Sequence, residues 1–185
     1  MSITLEKLAS QGILDFENQF MENIERKLVH AHRQTIRDIF SDYIHVSDRI
    51  EYVATIFGMD FINDAKSLSA NAAWYTLESI EKPIIWIINE INETDDDFEK
   101  IIPLIRKKVK AIILLGHKSA HTSHFLADHV EGIYRLKNIE QAVEFAYTIG
   151  DHGDAIVFSS MTEDCLHVKN FHDAALQFKR AVKGL

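Results

Sequence analysis

Between residues 14 and 43 apolar side chains recur three or four positions apart, Phe16, Phe20, Ile24 and Leu28 and then Ile36, Ile39 and Tyr43, with no Gly or Pro among them. That period predicts one long or two shorter amphipathic helices, a helical arm. The pattern changes near His45. Residues 49–56 are rich in β-branched and aromatic side chains, Phe57-Gly58 supplies a turn, and residues 59–63 are again extended, which predicts a strand, turn, strand unit. Beyond it helices and strands alternate: helix 71–80, strand 83–88, helix 96–108, strand 111–115, helix 119–129, strand 132–136, helix 139–149, strand 155–159 and helix 171–182.

Strands such as Ile84-Ile85-Trp86-Ile87-Ile88 are apolar throughout instead of alternating, so both of their faces are expected to be covered. Strands of this kind separated by helices imply crossover connections and a mainly parallel sheet. The predicted fold class is therefore α/β, a Rossmann-like three-layer domain at 45–185, preceded by the helical arm at 1–44. Ligands in such sheets sit beyond the carboxyl ends of the strands. Here that edge is made by residues 89–97, 116–119 and 159–164.

Composition narrows the class. The 185 residues are 46% hydrophobic and 26% charged, with 7 Gly and 2 Pro, which excludes low-complexity and collagenous chains. The apolar runs fall far short of the roughly 20 residues that span a bilayer, so no membrane segment is expected. A lone cysteine, Cys165, permits no internal disulfide, and the start carries no basic segment followed by an apolar one. These features predict a cytoplasmic protein. The net charge of −8 argues against nucleic-acid binding, because the one basic run, Arg106, Lys107, Lys108 and Lys110, is short.

Four groups of residues carry candidate chemistry. His117, His121 and His124, with Asp128 and His129 behind them, fall on one face of a predicted helix and are weak candidates for a Zn or Ni site, since no second element supplies a ligand; an exposed polar face is the alternative. Residues 89–97 gather carboxylates after a strand but lack the glycine and register of a calcium loop, so Asp95 to Asp97 read as capping and first-turn acids. Gly116-His117-Lys118-Ser119 echoes the end of a phosphate-binding loop, yet position 111, five residues before Gly116, is Ala, and His117 intrudes between Gly116 and Lys118. Cys165 lies beside Asp164 and near His167, although sequence neighbours do not make a catalytic triad. No metal and no cofactor is expected.

The stretch Arg49-Ile50-Glu51-Tyr52-Val53-Ala54-Thr55-Ile56-Phe57-Gly58-Met59-Asp60-Phe61-Ile62-Asn63-Asp64-Ala65-Lys66 resembles the opening of the C-terminal domain of Mur ligases, in particular their D-glutamate-adding branch. The likeness continues through Trp74 to Ser79, the strand at 83–88, residues 108–116, Gly153-Asp154 and Lys169-Asn170-Phe171, and so runs from about Ile44 to the end. The resemblance implies an α/β domain that, in ATP-dependent ligases of peptidoglycan synthesis, supplies the site of the incoming amino acid and closes over the nucleotide. The family's UDP-sugar and ATP-binding domains do not fit in this chain, which predicts a stand-alone domain.

Carried over position by position, the family's Asp-Ser-Lys-Ala-Thr-Asn is here Asp64-Ala65-Lys66-Ser67-Leu68-Ser69. The resemblance implies nucleotide-side roles for Asp64 and Lys66, whereas Leu68 replaces a substrate-holding Thr. The next motif has Glu93 where a Lys would pair with a substrate carboxylate. Exchanging attraction for repulsion at about 4 Å in a partly buried site is worth several kcal/mol. In the third motif Asp164 replaces a substrate-binding Ser, next to Cys165, and Phe171 survives from the neighbouring substrate contacts. These changes predict a vestigial site without catalytic residues. The expected function is a catalytically inactive binding or regulatory module tied to peptidoglycan synthesis. The alternatives are the substrate-binding component of a split ligase, with Glu93 and Asp164 selecting a cationic amino acid, and a His-rich metal binder. The apolar stripe of the arm at 14–43 predicts a homo-oligomer or a complex with another protein.

Overall fold

The computed structural model describes residues 48–88, 99–116, 126–161 and 170–185. The arm expected at 14–43, the acidic run at 89–97 and the histidines His117, His121 and His124 lie outside the described residues.

Among the described residues six strands form one sheet in the order β1-β2-β6-β3-β4-β5: β1 (Glu51–Ile56), β2 (Met59–Asp64), β3 (Ile84–Ile88), β4 (Val109–Leu115), β5 (Gly132–Leu136) and β6 (Ala155–Ser159). Only β1 and β2 run antiparallel; β2–β6, β6–β3, β3–β4 and β4–β5 are parallel. The described helices are α1 (Ala70–Ser79), α2 (Ile102–Lys108), α3 (Ile139–Ile149) and α4 (Phe171–Lys183).

Alternation along the buried strands divides the core in two. Ile85 and Ile87 of β3 pack with Phe61, Ile113, Phe158, Val143 of α3 and Phe178 of α4. Ile84, Trp86 and Ile88 face the other way and pack with Leu77 of α1, Leu104 and Ile105 of α2, Ile112, Leu114 and Val157. Helices thus cover both faces, as the wholly apolar strands require. No helix among the described residues is long and apolar enough to cross a membrane.

Local chemistry sets the element ends. Ser69, Asn138 and Asn170 cap α1, α3 and α4 by accepting from the backbone N–H of Ala72, Gln141 and Asp173. Within the helix expected over 96–108, Glu99 is helical, Lys100 and Ile101 form a turn, and α2 starts afresh at Ile102, because Pro103 lacks an N–H and is tolerated only in a first turn. Of the helix expected over 119–129, only residues after 125 are described, and they hold just its closing turn before β5. Helix α1 ends without a glycine. Its last carbonyls, those of Leu77 and Glu78, and that of Ile80 accept hydrogen bonds from the Lys108 ammonium at 2.9, 2.8 and 2.7 Å. The β1–β2 turn places Phe57 and Gly58 at φ 52° and 79°, and the Phe57 side chain is 80% exposed.

Candidate functional site

The carboxyl ends of β2, β6 and β3 lie level, with Asp64 paired to Ser159 and Ser159 to Ile88 across the register. Asp64 is the last residue of β2 and its side chain is fully buried. Its carboxylate accepts from Thr76 Oγ1 at 2.5 Å and from the Ile50 N–H at 3.2 Å, and lies 3.4 Å from the Arg49 guanidinium. Burial pushes the Asp64 carboxyl up to about 6, against the pull of Arg49, Thr76 and the Ile50 amide toward the charged form. Arg49 is itself buried and donates to the carbonyl of Ala72 in α1 at 3.2 Å.

The backbone on either side of Arg49 is unusual. Asp48 and Ile50 have φ of 69° and 45°, a region that L residues, and β-branched ones most of all, rarely occupy. The geometry turns the Arg49 side chain inward between them. The Asp48 carboxylate, 1% exposed as a residue, accepts from Lys179 Nζ at 3.0 Å and Asn63 Nδ2 at 3.1 Å and lies 2.6 Å from His172 Nδ1. Burial raises the Asp48 carboxyl, but hydrogen bonds from His172 and Lys179 and their charge hold it below the ordinary range. Glu51 shares Lys179 at 3.0 Å and Asn63 at 3.0 Å and, burial notwithstanding, is likewise held low.

The β2–α1 loop carries the next expected residues. Lys66 is half-buried, and among the described residues its ammonium has no hydrogen bond or ion pair. Leu68 is half-buried too, two residues before the α1 start. The carbonyl of Ser67 accepts the Met161 N–H at 2.8 Å, tying this loop to the end of β6. Next to it, the Ser160 hydroxyl is buried without a partner among the described residues. Phe171 opens α4 and packs against the core face that holds Phe178 and Phe158. Glu93, Asp164 and Cys165 lie outside the described residues.

No family model matches the chain. It is 31% identical over 179 residues to the UDP-N-acetylmuramoylalanine–D-glutamate ligase of Christiangramia forsetii and 29% identical over 181 residues to that of Bacteroides fragilis, in each case over 97% of this chain and 40% of the relative. The MurF ligase of Thermotoga maritima, solved in complex with ADP, superposes with a TM-score of 0.51 at 12% identity, over 75% of this chain and 32% of that one. This is a Mur ligase C-terminal-like domain. A bifunctional folylpolyglutamate synthase/dihydrofolate synthase of Yersinia pestis shares the fold, with a TM-score of 0.50 and 16% identity over 76% of this chain and 32% of that one. The curated relatives are ligases by name, and the domain is related to them. The chain spans about two fifths of the length of the curated relatives it matches. Their match extends beyond the stretch from Ile44 onward that carries the visible motifs, and takes in most of the preceding residues.

Within the Mur ligase-like domain, Arg49, Thr76, Asp48, His172 and Lys179 are structural partners that motif reading did not single out. Arg49 stands at the opening of the matching stretch and Thr76 lies within its Trp74 to Ser79 segment, which were the available signals. The others have no local pattern: Asp48 and Lys179 are 131 positions apart.

Proposed function

We propose that this Mur ligase-like domain is a catalytically inactive binding or regulatory module of cytoplasmic peptidoglycan synthesis. One observation carries this reading: Asp64, the acid that the family motif assigns to the nucleotide side, has no exposed surface and is engaged by Arg49, Thr76 and the Ile50 amide. A group enclosed in this way serves the fold. The sequence adds Leu68 in place of a hydroxyl and Glu93 and Asp164 in place of groups that would welcome a glutamate carboxylate. Incubating the purified protein with Mg-ATP, UDP-N-acetylmuramoylalanine and D-glutamate tests the proposal. The expected result is no ADP above the enzyme-free rate, and D-glutamate-dependent ADP release would overturn it. The arm at 14–43 is the surface through which a second copy or another protein would be engaged, and light scattering of the full chain reads this directly.

A second reading, the substrate-binding part of a split ligase selecting a cationic amino acid, is favoured by Lys66. Its ammonium is unengaged among the described residues, and Lys66 stands two residues beyond the carboxyl end of β2, the side of such a sheet on which ligands bind. Calorimetric titration with Mg-ATP and with lysine or ornithine distinguishes the two. Saturable heats lost in Lys66→Ala support the ligase component, and no heats support the inactive module.

A further inference from the structure

Two landmarks of the Mur-type edge, Lys66 on the β2–α1 loop and Phe171 at the start of α4, come from opposite ends of the domain sequence. One residue joins them. The Asp48 carbonyl accepts the Lys66 N–H at 2.9 Å, and Asn63, which donates to the Asp48 carboxylate at 3.1 Å, also accepts the Ala65 N–H at 3.3 Å. The β2–α1 turn is thus held to Asp48 at two points. On the other side, the same carboxylate lies 2.6 Å from His172 Nδ1 and 3.0 Å from Lys179 Nζ, which fixes the first and third turns of α4. The His172 side chain is 56% exposed, and among the described residues Asp48 is its only bonding partner. An ionised carboxylate with several charge-assisted donors is a stiff anchor. Its backbone sits at φ 69°, so its carbonyl and its carboxylate are aimed by one constrained residue.

We propose that Asp48 is a positioning residue that couples the two sides of the edge, making the placement of Lys66 depend on the docking of the first turn of α4 through His172. A ligand or partner that orders either side thereby orders the other. The coupling concerns the same edge as the proposed function, but it is a property of the unliganded domain and stands whether or not anything is turned over there.

Amide hydrogen exchange of the full chain, followed residue by residue by NMR, tests this. His172→Ala removes an exposed ring whose bond goes to Asp48 and not to the β2–α1 loop. It should nevertheless speed exchange of the Lys66 amide by about tenfold, the factor expected when a charge-assisted anchor is lost, while β3 and β6 amides keep their protection. In an Asp48→Asn background the same His172→Ala change should alter the Lys66 amide less than about twofold, because the carboxylate that relays it is gone. An unchanged Lys66 amide in His172→Ala overturns the coupling, and so does an equal acceleration in both backgrounds. Should Asp48→Asn fail to fold, Lys179→Met serves as the second variant. It removes another donor to the same carboxylate, and its effect on Lys66 must combine non-additively with that of His172→Ala.

Discussion

Arg49 and Asp64 meet at 3.4 Å with side chains 6% and 0% exposed, an ion pair that joins the segment two residues before β1 to the last residue of β2 inside the protein. The positive φ values at Asp48 and Ile50 are what bring the guanidinium there. Buried pairs of this kind add little net stability, yet they are costly to break, because the survivor keeps the desolvation penalty.

Arg49→Met is therefore expected to destabilise the domain by about 3 kcal/mol at pH 7 in urea unfolding. The loss should shrink at pH 5, where Asp64 is largely protonated and the pair is already weakened. A cost that is small at pH 7, or independent of pH, would contradict this account of the pair.

Asp64 also shapes the pH dependence. Its folded-state value of about 6 lies above the 3.8 of the free side chain, so the folded state binds this proton more tightly than the unfolded one. The corresponding stability is fully present below pH 3.8 and is lost as the pH rises through 6. Asp48, Glu51 and Asp60 act in the opposite sense, since theirs is lost as the pH falls below the ordinary carboxylate range. A difference measurement isolates the first term: between pH 4 and pH 7, Asp64→Asn should gain roughly 2 kcal/mol relative to the parent.

The β1–β2 turn has both central residues at positive φ, a geometry that suits Asn-Gly far better than Phe-Gly. Phe57 receives little packing in return, being 80% exposed. Phe57→Asn should raise stability by about 0.5–1 kcal/mol. Gly58→Ala should do the reverse, because a Cβ would stand 2.2 Å from the His152 ring on a backbone at φ 79°. Thermal unfolding of the two variants checks both signs.

Ser160 supplies a subtler test. Its hydroxyl is buried without a partner among the described residues, so Ser160→Ala removes a desolvation penalty and no hydrogen bond. Denaturant unfolding should show a change within about 0.5 kcal/mol or a small gain. A loss above 1 kcal/mol would mean that the hydroxyl is satisfied after all.

The parallel sheet was legible because uninterrupted apolar runs at 84–88, 111–115 and 155–159 admit few alternatives, and the motif positions around Asp64 located the edge. The interruption at Lys100 and Ile101, between helical Glu99 and α2, was not foreseen because the apolar period passes through Pro103, whose missing N–H decides where α2 begins. The charged network stayed invisible for another reason. Asp48, Lys179 and His172 obey no period, and their pairing exists only once the first described residue and the last helix are brought side by side. Asp64 shows the limit of motif transfer: the motif names the residue, whereas its complete burial depends on Thr76 and Arg49, to which the motif is blind.

The three carbonyls held by Lys108 bear on the order of folding. Helix α1 has no stop signal of its own, and the ammonium that finishes it is covalently joined to the first residue of β4, some 30 positions later. The last turn of α1 is thus finished by a residue from α2, so the boundary of a local helix is expected to be a late, non-local event on the folding route. In Lys108→Met the unfolding limb of the chevron should steepen in rate while the refolding limb hardly moves, the signature of a contact made after the transition state.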